Sequence, residues 1–271
     1  MLQDVMDVSE RFACKVVGQP RSTQRKPPAA QTTGDPDAGL RDWLRTWAGE
    51  HPRQGHRRAW AALRAEGMVV NRKKVQRLWR EEDLRVATRK VRKRNGTSTT
   101  PITEADAANV VWAVDFQFDS TRDGRMFKIA SMVDEHTRES LLDITARSIT
   151  GTDLTAALQH VIDTRGTPRV IRADNGPELV CRALKDFCEN RIGVHYIAPG
   201  QPWNNGFIES FNNRCRDECL NLHEFDDLIE AKIALTDWKN SYNKTHRHSR
   251  LGYLTPAEYA DQCKCTHRLS E

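Results

Sequence analysis

Residues 110–118 read VVWAVDFQF, and the reading of this stretch decides the fold. A run of β-branched and aromatic side chains this continuous predicts a strand covered on both faces. Asp115 interrupts it. A carboxylate in a covered strand is costly unless something compensates its charge, so it is marked at once as a candidate for chemistry. Outward from this strand, Met126–Val133 and Ser140–Thr145 are further β-rich runs joined by short polar turns, which predicts a three-stranded meander. Beyond them the pattern alternates. A helix is expected over Asp153–Thr164, a strand over Arg169–Ala173, a helix over Glu178–Asn190 and a strand over Val194–Ile197. Helices then follow over Phe207–Leu220 and Leu228–Asn243. Hairpin strands followed by α-β-α-β elements predict an α/β fold, a mixed five-stranded sheet flanked by helices.

The region before residue 106 reads differently. Residues 8–18 predict a short helix capped by Ser9 and stopped by Gly18, and residues 19–39 read as a linker. Three helical patterns occupy residues 40–84. Leu40, Trp43, Leu44 and Trp47 form the first apolar stripe. Ala59, Trp60 and Leu63 form the second, with Gly67 ending that helix. Asn71 caps the third, in which Val75, Leu78 and Trp79 point inward. Lys73, Gln76, Arg77 and Arg80 share the opposite face. Two helices, a short turn and a third helix with a basic outer face form a small all-α helix-turn-helix domain, whose last helix suits the major groove. Residues 85–94 are a basic run, and Arg92, Lys93 and Arg94 are its candidate phosphate contacts.

The 271 residues carry a net charge of +5, with 29% charged and 38% hydrophobic residues. The charge is uneven. Residues 1–94 hold 22 basic and 11 acidic side chains, whereas residues 95–271 hold 20 and 26. A basic front half on an acidic back half suggests a polyanion-binding module joined to something else. No run approaches the roughly 20 apolar residues of a membrane helix, so a transmembrane protein is not expected. The N-terminal residues lack the pattern of a secretory signal. Seven cysteines, among them Cys181 and Cys188, Cys215 and Cys219, and Cys263 and Cys265, read as packing thiols rather than a disulfide scaffold or a zinc site.

Two more acids join Asp115. Asp174 follows the strand VIRA and precedes Asn175-Gly176-Pro177, at a strand's C-terminal end, where α/β folds bind ligands. Glu209 opens the helix after PGQPWNNG. Ile208, Phe211, Cys215, Cys219 and Leu222 make that helix's apolar stripe, leaving Asn205, Glu209, Asn212, Asn213 and Arg216 on another face. Clustered carboxylates call for a hard cation, and two such ions suit in-line phosphoryl transfer. From the pattern alone each acid also reads as a cap or turn residue. Asp119, which shares a strand face with Asp115, and Asp134 are rival acids. Glu178 reads as a helix-start cap. Asn175, His195, Asn205 and Asn212 are candidates for orienting DNA or the acids, and Tyr242 and His248 for packing the C-terminal segment.

At these residues the chain resembles a known family. The segment Val111–Asp119, then Asp174-Asn175-Gly176-Pro177-Glu178, then the stretch from Pro199 to Asn212 resemble the DDE transposases of insertion sequence family three, OrfB type. Asp174 and Glu209 are 35 residues apart, which fits that family. Its core is similar to the retroviral integrase core, with a ribonuclease-H-like fold. Gly55-His56-Arg57-Arg58 and Val70-Asn71-Arg72-Lys73 resemble the family's helix-turn-helix. Tyr242-Asn243, His248-Ser249, Leu251-Gly252-Tyr253 and Thr255–Tyr259 resemble its C-terminal segment. His56, Asn213, Cys215 and His246-Arg247 depart from the usual residues.

The resemblance implies a transposase that binds element ends and carries out metal-dependent strand cleavage and strand transfer. Asp115, Asp174 and Glu209 would be both the catalytic residues and the ligands of two Mg²⁺ ions, with Mn²⁺ as a substitute. Asp115 would bridge both ions. The partners implied are double-stranded DNA (terminal inverted repeats and target), further copies of the chain on DNA, and an upstream helix-turn-helix product, fused or separate. The expected place is the bacterial cytoplasm, on the nucleoid. The expected division is residues 1–39 as N-terminal helix and linker, which the resemblance also allows to be the remainder of a fused upstream frame, and 40–84 as the DNA-binding domain. Residues 85–105 are the basic linker, 106–225 the catalytic core, and 226–271 a C-terminal helix and tail. A DNA-binding regulator of transposition with an inactive core, and a general ribonuclease-H or junction-resolving nuclease, are the competing readings.

Overall fold

The computed structural model describes residues 8–25, 35–86, 104–176, 178–197 and 205–268. Helix α1 spans Glu10–Val17. Ser9 accepts from the Phe12 amide at its start, and Gly18 ends it at φ +66°, as its sequence predicts. Helices α2 (Ala38–Glu50), α3 (His56–Ala65) and α4 (Arg72–Glu81) follow. They pack around Leu44, Trp47, Ala59, Leu63, Val75, Leu78 and Trp79, with Leu40, Trp43 and Trp60 half-buried at the edge. Asn71 Oδ1 accepts from the Lys73 amide and starts α4. Gly67, at φ +83°, makes the turn that a side chain would strain.

The mixed sheet holds β1 (Val111–Ser120), β2 (Met126–Asp134), β3 (Ser140–Ala146), β4 (Val170–Ala173) and β5 (Gly193–Tyr196), in the order β3-β2-β1-β4-β5. The first three form the expected antiparallel meander, and β4 and β5 add in parallel. Helices α5 (Gly151–Arg165) and α6 (Arg182–Cys188) cover one face. Their Leu154, Leu158, Leu184 and Cys188 meet Trp112 and Val114 of β1. Helices α7 (Gly206–Glu218) and α8 (Leu228–Thr245) cover the other. There Ile208 and Phe211 meet Ala113, and Cys215 meets Phe127 and Ile129. Alternation along β1 therefore sends Trp112 and Val114 to one layer and Ala113 and Asp115 to the other.

Two local expectations need correction. Helix α6 begins at Arg182, not Glu178, and Glu178 is no cap. Its carboxylate pairs with Lys128 of β2. Leu222 leaves the apolar stripe of α7, because the helix gives way to a 3₁₀ turn at Leu220–Leu222 and Leu222 is exposed. The tail is itself helical, as α9 (Pro256–Arg268). Thr255 and Glu258 exchange hydrogen bonds as a capping box, with Pro256 at the first helical position.

The tail of the chain is tied to the sheet as expected. Asn243 brackets Ser140 of β3, accepting from its amide at 2.9 Å and donating to its carbonyl at 2.8 Å. Tyr242 is buried edge-on to His248 and beside Phe211. The helix-turn-helix domain rests on this same layer. Arg58 of α3 pairs with Glu218, the last residue of α7, at 3.0 Å, and Trp60 meets Tyr253 edge-on. No helix of the described residues is long and apolar enough to cross a membrane.

Inside the sheet, Arg172 of β4 is 2% exposed and donates to both carboxylate oxygens of the buried Glu135, at 2.6 Å each. Removing one member strands the other's charge away from water. Arg172→Met should therefore lower stability by about 3–5 kcal/mol. Arg172→Met combined with Glu135→Leu should recover most of that loss. Urea midpoints of the three proteins check it, and an Arg172→Met midpoint equal to wild type refutes it.

Candidate functional site

Asp115 sits at the fifth position of β1, half-buried on the face turned to α7. Both of its oxygens are held. Oδ1 accepts from the Phe116 amide and Oδ2 from Asn212 Nδ2, each at 2.9 Å. Asn212 is held in turn, its Oδ1 accepting from Gln117 Nε2 at 3.1 Å. Gln117 and Asn212 are both buried. The sequence places Asn212 off the apolar stripe of α7, as a candidate for orienting the acids, and it is buried. It points into the sheet, where its amide completes a chain from Gln117 to Asp115. Gln117 was not among the sequence candidates. Its signal was its register, two positions from Asp115 on the same face of β1.

Glu209 lies in the first turn of α7, and it shares with Asp115 an open cleft of about 420 Å³. Phe116, Gln117, Phe118, Asn212, Asn213 and Arg216 complete its lining. Asp174 follows β4 directly, and β4 runs parallel beside β1. Its Oδ1 accepts from the Gly176 amide at 2.9 Å, and a Cβ at Gly176 would come within 3.0 Å of that oxygen. A side chain at Gly176 would crowd the acid at the strand's end. Three chain segments far apart in sequence bring these carboxylates into mutual electrostatic reach.

The Asp115 carboxyl reports that reach. Burial pushes it up to about 6, and the negative charges of Asp174 and Glu209 push the same way, against the hydrogen bonds from Phe116 and Asn212. A hard divalent cation between these oxygens would relieve the repulsion, so the donor set suits one. Among the described residues no three His, Cys, Asp or Glu side chains already stand together as a metal-holding group. The acids are therefore neighbours with the right chemistry rather than a closed cage.

The other candidates separate cleanly. Asp119 pairs with Arg216 at 3.7 Å on the cleft's rim, and Arg216 also donates to the Phe118 carbonyl. Asp134 is buried in the β2–β3 turn, accepting from the amides of Asn109, His136 and Thr137. Neither is a rival for the cleft. Asn175 ties the end of β4 to β5 by donating to the Ile197 carbonyl at 2.6 Å. His195 stands on β5 in register with Arg172, outside the cleft lining. Asn205 is buried at the start of α7. Lys73, Gln76 and Arg80 line up on α4 as expected. Arg77, by contrast, is committed to Asp37 at 3.0 Å and Glu81 at 2.9 Å. Arg92, Lys93 and Arg94, and residues 198–204 of the motif before α7, lie outside the described residues.

Comparison with known proteins agrees with this architecture. An integrase core domain model matches residues 105–202, a second integrase core domain model matches 190–256, and an HTH-like domain model matches 39–92. A 31.7 kDa protein of insertion element IS407 from Burkholderia multivorans is 35% identical over 98% of this chain and 95% of its own. A 39.2 kDa protein of insertion element IS476 from Xanthomonas euvesicatoria is 36% identical over 93% of this chain and 72% of its own. The transposase InsD of insertion element IS2 from Escherichia coli is 26% identical over 86% of this chain and 81% of its own. In fold, a chain of the simian T-cell lymphotropic virus intasome matches 78% of this chain and 72% of its own, at 17% identity and a TM-score of 0.50.

The raised Asp115 carboxyl has a sign that can be checked without any metal. The ordinary aspartate value is about 3.9, so between roughly pH 4 and 6 the folded state binds the extra proton. Stability due to this group then falls as pH rises through that window, and the loss is complete above about 6. Asp115→Asn should thus stabilise the chelator-treated protein by about 1–2 kcal/mol at pH 7.5, with no gain below about pH 4. Urea denaturation in EDTA across this range measures it, and no gain at pH 7.5 refutes it.

Proposed function

The chain belongs to the insertion-element transposase family with an integrase core, and on that premise we propose that it cuts and joins DNA strands at the cleft between β1 and α7. The observation that carries this reading is the Asp115 carboxyl, half-buried on β1 and pushed up to about 6 chiefly by that burial, with the charges of Asp174 and Glu209, from two other elements, pushing the same way. Carboxyls shifted in this way and lining a cleft mark functional sites.

In this reading Asp115, Asp174 and Glu209 hold two Mg²⁺ ions. When bound, such ions activate the attacking oxygen and stabilise the leaving one. The chain's own part is positional. The Phe116 amide and Asn212 fix both oxygens of Asp115, and Gln117 fixes Asn212. Two displacements at phosphorus follow one another. Water first breaks the bond to a 3′ oxygen at the element's end, and that oxygen leaves as a free hydroxyl. The hydroxyl then attacks a target phosphodiester, forming one P–O bond as another breaks and releasing a target 3′ hydroxyl. The second step needs no energy source, because one phosphodiester replaces another.

The helix-turn-helix domain binds the element's terminal repeats. Two ends must be held together for joining, so the chain acts as an oligomer on DNA, in the cytoplasm, alone or with an upstream helix-turn-helix product. Arg58 and Glu218 link the two activities, because Glu218 ends the helix that Glu209 begins.

Alanine at Asp115, Asp174 or Glu209 should each reduce Mg²⁺-dependent cleavage of a duplex carrying the element's end by at least about 1,000-fold while leaving DNA binding in place. Gel assays of matched and scrambled ends test this. Cleavage that survives any one of the substitutions, or that is equal on unrelated DNA or an RNA–DNA hybrid, counts against the reading.

A further inference from the structure

Two groups of cations stand out on α2, α4 and the start of α3 in the helix-turn-helix domain. In the first, Arg41 pairs with Asp35 at 2.6 Å, Glu81 at 2.5 Å and Glu82 at 2.8 Å. Arg45 pairs with Asp42 and Glu82, and Lys74 and Arg77 share Asp37. This network clamps the start of α2 to the end of α4, and its charge is spent inside the domain. The carboxyls of Asp37, Glu81 and Glu82 are all held below their ordinary values, chiefly by the hydrogen bonds of these bases.

The second group has no carboxylate within ion-pair distance among the described residues. Arg57 follows the first residue of α3, and Arg72, Lys73 and Arg80 lie on α4. All four are exposed. At about 100° per residue, Arg72, Gln76, Arg80 and Lys73 sweep an arc of about 100° on α4. Lys74 and Arg77 lie beyond that arc, toward Asp37. Half-buried His56, the first residue of α3, lies within electrostatic reach of Arg57 beside it, of Arg72 at the start of α4 and of Arg80 in its last turn. The positive charges of Arg57, Arg80 and Arg72, after burial itself, hold His56 below its ordinary value. Like charges crowded together and left unneutralised raise the energy of the free protein, and an anion laid across them recovers it.

Resting on the DNA-binding reading above, we propose that Arg57 in the first turn of α3 and Arg72 and Arg80 along one arc of α4, all within electrostatic reach of His56, are the face that grips the DNA phosphate backbone, and that Arg77 is no part of it. The arc is the only run of α4 that carries positive charge without an internal acid, among the described residues. Duplex DNA suits it because adjacent phosphates present a row of anions to guanidinium groups spaced along one helix face. Such contacts position the domain and carry no sequence information.

The test uses the full chain, fluorescence anisotropy and two labelled duplexes, one with the element's terminus and one scrambled, from 50 to 300 mM salt. Each lost phosphate contact flattens the slope of log affinity against log salt by about 1. Arg57→Gln, Arg72→Gln and Arg80→Gln should each do so, equally on both duplexes, and Arg→Lys at each site should restore the slope. Arg77→Gln should leave the slope unchanged, whatever it does to the melting temperature. Unchanged slopes for the first three would overturn the assignment while leaving DNA binding intact. So would an equal flattening by Arg77→Gln, which would mean that total charge alone matters. Tighter binding of single-stranded RNA than of either duplex would also overturn it. A wild-type chain that binds no duplex at any salt would instead remove the DNA-binding reading on which this one rests.

Discussion

A carboxylate in the middle of a covered sheet constrains most of this molecule. Asp115 cannot sit on β1 without hydrogen bonds to both oxygens, and α7 must therefore lie where Asn212 can reach it. That placement brings Glu209 to the same cleft, one turn earlier on the helix. The parallel pairing of β4 with β1 sets Asp174 at the neighbouring strand end. What remains uncompensated is the burial of Asp115 and, added to it, the charges of Asp174 and Glu209, which the free chain carries as a raised carboxyl at Asp115. A site of this kind gives up stability in the free state in exchange for affinity toward a multivalent cation.

The same economy of elements joins the two halves of the protein. Helix α7 presents Glu209 at one end and Glu218 at the other. Glu218 is half-buried between Arg214 of its own helix and Arg58 of the helix-turn-helix domain. Burial pushes the Glu218 carboxyl up even with these bases beside it, so the contact is held in a poorly solvated place where losing a partner is costly. Around it Tyr242, His246 and His248 stack in one aromatic group. Burial keeps both histidines well below their ordinary range and therefore neutral. The layer that receives the DNA-binding domain thus sets two neutral histidines beside the Arg58–Glu218 pair.

Much of the fold was legible because it depends on neighbours in the chain. Ser9, Asn71 and Thr150 each accept an amide from two or three residues ahead, and the helices begin after them. The meander is readable from β-branched and aromatic runs joined by short turns, and the apolar stripes at Leu44, Leu63 and Leu78 from helical spacing. The capping box at Thr255-Pro256-Ala257-Glu258 is as local as these, and it marks α9 more plainly than the expectation of a tail allows. Of the site, the identity of the acids came from a resemblance of ordered motifs. Their type alone left each as an ordinary cap or turn residue.

The sequence by itself determined the strands, the helices, the order of the acids and the excess of positive charge in the first 94 residues. Tertiary structure decided which charges are spent and which remain. Arg77 faces Asp37 across 40 positions, Lys128 meets Glu178 across 50, and Asn212 reaches Asp115 across 97. No pattern in the chain announces these pairs. A cap or an amphipathic stripe is fixed by backbone geometry over a few residues, whereas an ion pair forms only where two surfaces packed for other reasons come within about 4 Å.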